Sequence, residues 1–190
     1  AEGVIVIAQR IWPAFEHIDT SSGALGTAVR RTLEELLPIL IEAPADEKTR
    51  AKWLEQIREA IEDDGVDYLA PIAHCFGQIA AYPTLMNLHA DRDLDMIEVA
   101  WSDHARFIHV ATGSPTLSCL LEGGRYDELL ALLACKKTHL WFDEKFGAEA
   151  LLRQGREDEA LAFAEALLQG DRRPWGYQDI AQFCERILVA

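Results

Sequence analysis

The sequence predicts an all-α fold, an α-solenoid of stacked antiparallel helical hairpins with about nine to ten helices. Three observations point there. Apolar residues recur at three- and four-residue spacing along almost the whole chain, and the strict alternation of a half-buried strand is nearly absent. The stretch LLEGGRYDELLALL at 120–133 also returns 31 residues later as LLRQGREDEALAFA at 151–164. Leu120, Leu121, Gly124, Arg125, Asp127, Glu128, Leu130 and Ala131 recur there as Leu151, Leu152, Gly155, Arg156, Asp158, Glu159, Leu161 and Ala162.

The elements follow in order. An opening apolar helix meets Pro13, which kinks or breaks it, and DTSSG at 19–23 supplies turn and capping residues. The next helix runs to about Ala43 with Val29, Leu33, Leu36, Leu37, Leu40 and Ile41 on one face; Pro38 removes an amide donor and should bend it or end it early. EAPADEKTR at 42–50 is a break and a new start, with Asp46 placed to accept from orphan amides and Glu47 near the positive end of the dipole. Trp53, Ile57, Ala60 and Ile61 form the face of that helix, and Gly65 is available for a left-handed closure.

Leu69, Ile72, Phe76 and Ile79 predict one further helix, ending near AYP at 81–83. Leu94, Ile97, Trp101, His104 and Ile108 share the next stripe, after which Ser114 caps a helix that has Pro115 in its first position. The repeat then gives a helix to about Glu122, a Gly-Gly-Arg turn, a helix over 126–134 and another over about 139–154. After Gly155-Arg156 one helix runs to about Gln169, and GDRRPWG at 170–176 leads into the last. Gly124 and Gly155 provide positive φ at the helix ends, and Asp127-Glu128 and Asp158-Glu159 place carboxylates where the following helix favours negative charge. Ala148, Ala160, Ala162 and Ala164 are small enough for neighbouring helices to approach closely.

A chain of 190 residues that is 49% hydrophobic can bury one sizeable core, so a single domain over 1–190 is expected. The formal charge of −14, from 32 acidic against 18 basic residues, leaves no basic stripe for phosphates, which disfavours nucleic acid and anionic membranes and favours a basic partner. Cys75, Cys119, Cys135 and Cys184 are scattered without a CxxC pair, as expected of buried thiols in a reduced cytoplasmic protein. No apolar run approaches a membrane span, and GVIVIA at 3–8 is too short and lacks a basic leader and a cleavage site. The absence of an initial Met suggests a processed or trimmed piece of a longer product.

GAEALLRQGREDEALAFAEALL at 147–168 resembles a tetratricopeptide-type helical hairpin: a small-residue helix, a central glycine, then an acidic-acidic-Ala opening. The repeat of 31 residues is shorter than that family's usual ~34, so the resemblance is to a divergent member. A wider resemblance, carried by WLEQIREAIEDDGVDYLAPIAHCFGQI at 53–79 with CLLEGGRYDELLALL, KFGAEALLRQGREDEALAFAE and FCERILVA, is to uncharacterised bacterial helical-repeat proteins. Some relatives carry a SWIM-type zinc finger elsewhere; no Cys-x-Cys…Cys-x-His pattern stands here. The resemblance implies divergent helices over 1–112 and tetratricopeptide-like repeats over 113–190. It supplies no catalytic residues. If Arg186-Ile187-Leu188 stands where Ala150-Leu151-Leu152 stands, a third repeat is incomplete at Ala190.

Motifs with chemistry are few. DRDLD at 91–95 opens like a calcium loop, but Met96 and Ser102 occupy the glycine and glutamate positions, and a solvated acidic linker is the expected reading. His104 and His109, five apart, do not share a helix face as a metal pair would, and His74 beside Cys75 diverges from it. No nucleophile elbow, phosphate loop, dinucleotide fingerprint or HExxH string occurs. No catalytic, cofactor-binding or metal residue is therefore assigned.

Trp141, Phe142, Phe146, Trp175 and Tyr177 are expected in the core, or else Trp141, Trp175 and Tyr177, with Arg172 and Arg173, anchor a partner. The expected function is a non-catalytic helical-repeat module binding a protein or peptide, with a bias to basic ones. Alternatives are an enzyme whose carboxylates and histidines converge from separate helices, and an accessory domain of a larger zinc-finger-containing protein.

Overall fold

The computed structural model describes residues 1–18, 23–102, 109–169 and 176–189. Among them are eleven helices and no strand, so the all-α expectation holds. The chain forms two compact units: Ala1–Asp93 with Val110–Gly123, and Leu94–His109 with Gly124–Ala190. None of the described helices is long and apolar enough to cross a membrane.

In the first unit, α1 (Glu2–Phe15) and α2 (Ala24–Ile41) bury Val4, Ile5, Ala8 and Ile11, and Val29, Leu33, Leu37 and Leu40. Pro13 and Pro38 stand inside these helices without ending them early. Both prolines are exposed, on the side where water reaches a carbonyl deprived of its donor. α3 (Glu47–Asp63) begins as its sequence requires: the Asp46 carboxylate accepts from the Thr49 amide at 2.8 Å, and the Thr49 hydroxyl together with that amide holds its pKa below the usual value. Trp53, Ile57, Ala60 and Ile61 are all buried.

The closure after α3 differs from expectation. Positive φ falls at Asp67 (59°) and not at Gly65. Gly65 instead lies against another helix: a Cβ there would be 2.6 Å from the Trp12 ring, which would have to shift. The Asp64 carboxylate organises the loop by accepting from the amides of Val66 (3.2 Å) and Leu69 (2.7 Å).

The helix expected over 69–79 is two short ones, α4 (Ala70–His74) and α5 (Phe76–Ala80), divided at Cys75. The cause is a side chain inserted into the helical ladder. Ser118, on α7 (Gly113–Glu122), donates its hydroxyl to the His74 carbonyl at 2.8 Å and accepts from the Gly77 amide at 2.9 Å. Both backbone groups are thereby diverted from intrahelical partners. α7 starts at Gly113 after Thr112, so Ser114 is not its cap; Pro115 still lies in the first turn, where its missing donor costs nothing. α7 is buried from Gly113 to Leu121 and packs on α4 and α5. Arg50 ties further ends together, donating to the carbonyls of Ile41 (2.9 Å), Ala43 (2.7 Å) and Ile79 (2.5 Å), where helix dipoles favour a cation.

DRDLD is not a linker. It lies inside α6 (Pro83–Ser102), and Asp93 is buried against Arg58 of α3, while Asp91 and Asp95 are exposed. One turn before Asp93, His89 is buried with its ring edge against Phe76, centroids 5.1 Å apart, and its Nδ1 has no hydrogen-bond partner. Burial pushes the His89 pKa below 6.5; Arg58 and Arg92 push the same way, and Glu55 and Asp93 oppose them. The folded state therefore holds His89 neutral, and the unfolded chain binds the extra proton as pH falls through 6.5. Stability is expected to be full above that pH and to decline below it, by at most about 1.4 kcal/mol per pH unit for one proton. Urea melts from pH 8 to 5 test this: His89→Phe should show a shallower acid limb than the parent, and parallel limbs would refute the assignment.

In the second unit, α8 (Tyr126–Ala134), α9 (Trp141–Arg153), α10 (Glu157–Ala166) and α11 (Tyr177–Val189) each pack on the next, and α11 also meets α9. Both repeat turns take the predicted conformation, with φ of 73° at Gly124 and at Gly155. At the second turn the Arg156 amide bonds the Leu151 carbonyl and the Gly155 amide that of Leu152, both at 3.0 Å. That is the Schellman closure of a helix. Each turn also carries a two-pronged ion pair three residues apart, Arg125 on Glu128 (2.8 and 2.5 Å) and Arg156 on Glu159 (2.8 and 2.6 Å). These bonds hold both carboxyls below their usual range. Ala148, Ala160 and Ala164 are fully buried in the core with Trp141, Leu151, Ile180 and Phe183; Ala162 is exposed and does not serve the approach.

Candidate functional site

Of the five residues expected as partner anchors, Trp141 is 7% exposed and takes the core role, its ring edge-on to Phe183 at 5.4 Å. Tyr177 is exposed at the start of α11, and Gly176 before it abuts Trp141. Arg172, Arg173 and Trp175 lie outside the described residues, as does His104. The four cysteines form no disulfide, and burial pushes the Cys119 thiol up to about 12, which makes it inert. Among the described residues no three metal-ligating side chains converge.

A different cluster forms where α9 begins. The chain leaves α8, crosses 135–140, and enters α9 without a side-chain cap. Its charged residues bind the loop to the first turn of α9. Lys136 pairs with Asp143, and its ammonium also sits 4.4 Å from the centre of the Trp101 ring. His139 Nδ1 and Glu144 Oε1 share a hydrogen bond of 2.9 Å. His139 and Glu144 occupy the two places where a hydrophobic staple would fix the start of a helix, and a polar bond does that work here.

Glu144 is 2% exposed, and burial pushes its carboxyl above the usual range, against the pull of the His139 hydrogen bond and of nearby Lys136. The His139 side chain is 46% exposed. Both line a cavity of about 550 Å³ with Lys137, Thr138, Phe163, Ala166, Leu167 and Gln169. One wall is thus the α8–α9 loop, and the other is the last turn and exit of α10. The site offers a buried carboxylate, a half-exposed imidazole and an apolar wall, a composition common to small-ligand and side-chain pockets.

The sequence reading did not single out Lys136, His139, Asp143 or Glu144. The available signal was the order of charge in KKTHLWFDEKF at 136–146, basic before the helix start and acidic after it. Phe163 and Leu167 join from the next helix by tertiary packing and leave no local signal. Comparison of the chain with protein-family models, with curated proteins and with solved structures finds no match.

Proposed function

We propose that this chain is a non-catalytic helical-repeat module of the bacterial cytoplasm that binds a protein or peptide partner of basic character. The observation that carries the reading is the repeated turn. At both copies the same glycine, arginine and glutamate geometry recurs, and carboxylates are left exposed beside it: Asp127 at the first, Glu157 and Asp158 at the second. In a chain of net charge −14, a repeated acidic edge steers and orients a basic surface. Tyr177 adds an exposed aromatic of the kind that anchors interfaces.

The test is binding to arrayed peptides of defined charge at two salt concentrations. Basic peptides should be retained and weakened by salt, and the triple variant Asp127→Lys, Glu157→Lys, Asp158→Lys should lose about tenfold or more in affinity. Equal retention of acidic and basic peptides would refute the charge preference.

One observation favours a catalytic reading, the His139–Glu144 pair. A half-exposed imidazole oriented by a buried carboxylate has the arrangement of a general base. Ester or amide hydrolysis by the purified chain, abolished in His139→Gln, would establish that alternative.

A further inference from the structure

The described residues include two buried carboxylates, Asp93 and Glu144, and they are treated differently. Asp93 is met by the fixed guanidinium of Arg58 through both oxygens. Glu144 has no such permanent cation. Its hydrogen bond goes to an imidazole, and Lys136, the ammonium close enough to act on it, is already engaged by Asp143 and the Trp101 ring. Taking a carboxylate out of water costs several kcal/mol unless a cation answers it. Here the carboxylate borders a cavity rather than closed core.

We infer that this cavity takes one lysine or arginine side chain of the partner, its cationic head at Glu144 and its aliphatic stem along Phe163, Ala166 and Leu167. The volume of about 550 Å³ admits one long side chain with accompanying water. The chemistry of each wall matches a part of that ligand. Phe163 and Leu167 cover methylene groups, as the stems of basic residues are covered elsewhere on protein surfaces. α10 ends at Ala166, so the negative end of its dipole faces the same space and favours a cation over an anion. The net charge of the chain brings basic segments toward it. Lys137 also lines the cavity, at an exposed position, with the same sign as the ligand. The inference deepens the binding function proposed above and rests on it.

The probe is a short peptide, Ala-Ala-Lys-Ala-Ala with blocked ends, compared with versions carrying arginine, norleucine or glutamate in the central position. Amide shifts of the isotope-labelled protein report where each binds. Lysine and arginine peptides should shift amides over 136–144 and 163–169, and the norleucine and glutamate peptides should not. Glu144→Gln should weaken the lysine peptide about tenfold or more. Lys137→Glu, which adds a second carboxylate to the lining at an exposed position, should tighten it even if Glu144→Gln proves unstable.

Weaker binding in Lys137→Glu, or unchanged binding in a folded Glu144→Gln protein, would overturn the pocket. If basic peptides then shift amides near Asp127, Glu157 and Asp158 instead, the binding module survives without this site. If no basic peptide binds at any position, both readings are overturned together.

Discussion

Replacing Gly77 by alanine is expected to cost about 3 kcal/mol, the upper end of what overpacking usually costs, and to lower the melting temperature by about 6–12 °C. A Cβ at Gly77 would lie 2.3 Å from the carbonyl oxygen of Ser118 and 2.7 Å from its carbonyl carbon. Those atoms are backbone of a buried helix, so relief requires α5 and α7 to separate. Separation would also stretch the Ser118 bonds to the Gly77 amide and the His74 carbonyl, each worth about 1 kcal/mol net. Against this, alanine gains at most about 1 kcal/mol of helix propensity. The clash therefore decides the sign.

Gly147→Ala is the matched control. Its Cβ would meet Leu133 Cδ1 at 2.8 Å and Phe163 Cζ at 3.0 Å, and both are ends of flexible side chains. It should cost far less than Gly77→Ala and can come out near neutral. Thermal and urea melts of both variants check the pair; equal destabilisation would mean that the α5–α7 approach is softer than it looks.

The same two helices show what the sequence could and could not foretell. The start of α3 at Asp46 and Glu47, and both turns at Gly124 and Gly155, are set by residues within one helical turn of each other, so they were legible. The break at Cys75 was not. Its cause is a hydroxyl 41 residues away, and the apolar spacing of Leu69, Ile72, Phe76 and Ile79 runs through it undisturbed. Gly65 reads as a closure glycine, but it has no positive φ and lies against the Trp12 ring of another helix. DRDLD reads as a linker because three aspartates in five residues look solvated, yet one of them faces inward to a guanidinium on α3.

The repeat makes the same point from the other side. Its turn geometry recurs, with the same φ at both glycines and the following arginines alike within about a dozen degrees, while the helices that precede the two turns pack in different surroundings. α7 lies with α4 and α5, and α9 lies with α8, α10 and α11. Local sequence dictates the local bend, and the apolar residues that differ between copies choose what each helix packs against. The candidate site suffers from this most, because Glu144 and Phe163 are brought to one cavity only by the packing of α9 on α10.

Asp93→Leu alone is expected to destabilise the first unit by about 3–5 kcal/mol, the range for breaking a buried ion pair on one side. Arg58 would remain in the interior with its guanidinium stripped of two hydrogen bonds, and leucine can return neither. Burial opposes the charge on Arg58, and the bonds to Asp93 with the charges of Asp93, Glu62 and Glu55 outweigh it, so its pKa is raised. Glu62, 2.8 Å from the guanidinium and half-exposed, stays behind as a weaker partner, which places the cost in the lower half of that range.

The double variant Arg58→Met, Asp93→Leu should recover most of the loss, because apolar groups of similar volume need no answering charge. A double-mutant cycle by urea unfolding separates the two terms. A double variant as unstable as either single would mean that loss of the ion pair itself, rather than the penalty of leaving one charge unanswered, sets the cost, and one as unstable as the sum of the singles would mean that the two side chains stabilise independently. That contrast also bears on Glu144: Asp93 is answered by an arginine through both oxygens, whereas the hydrogen bond of Glu144 goes to the His139 imidazole.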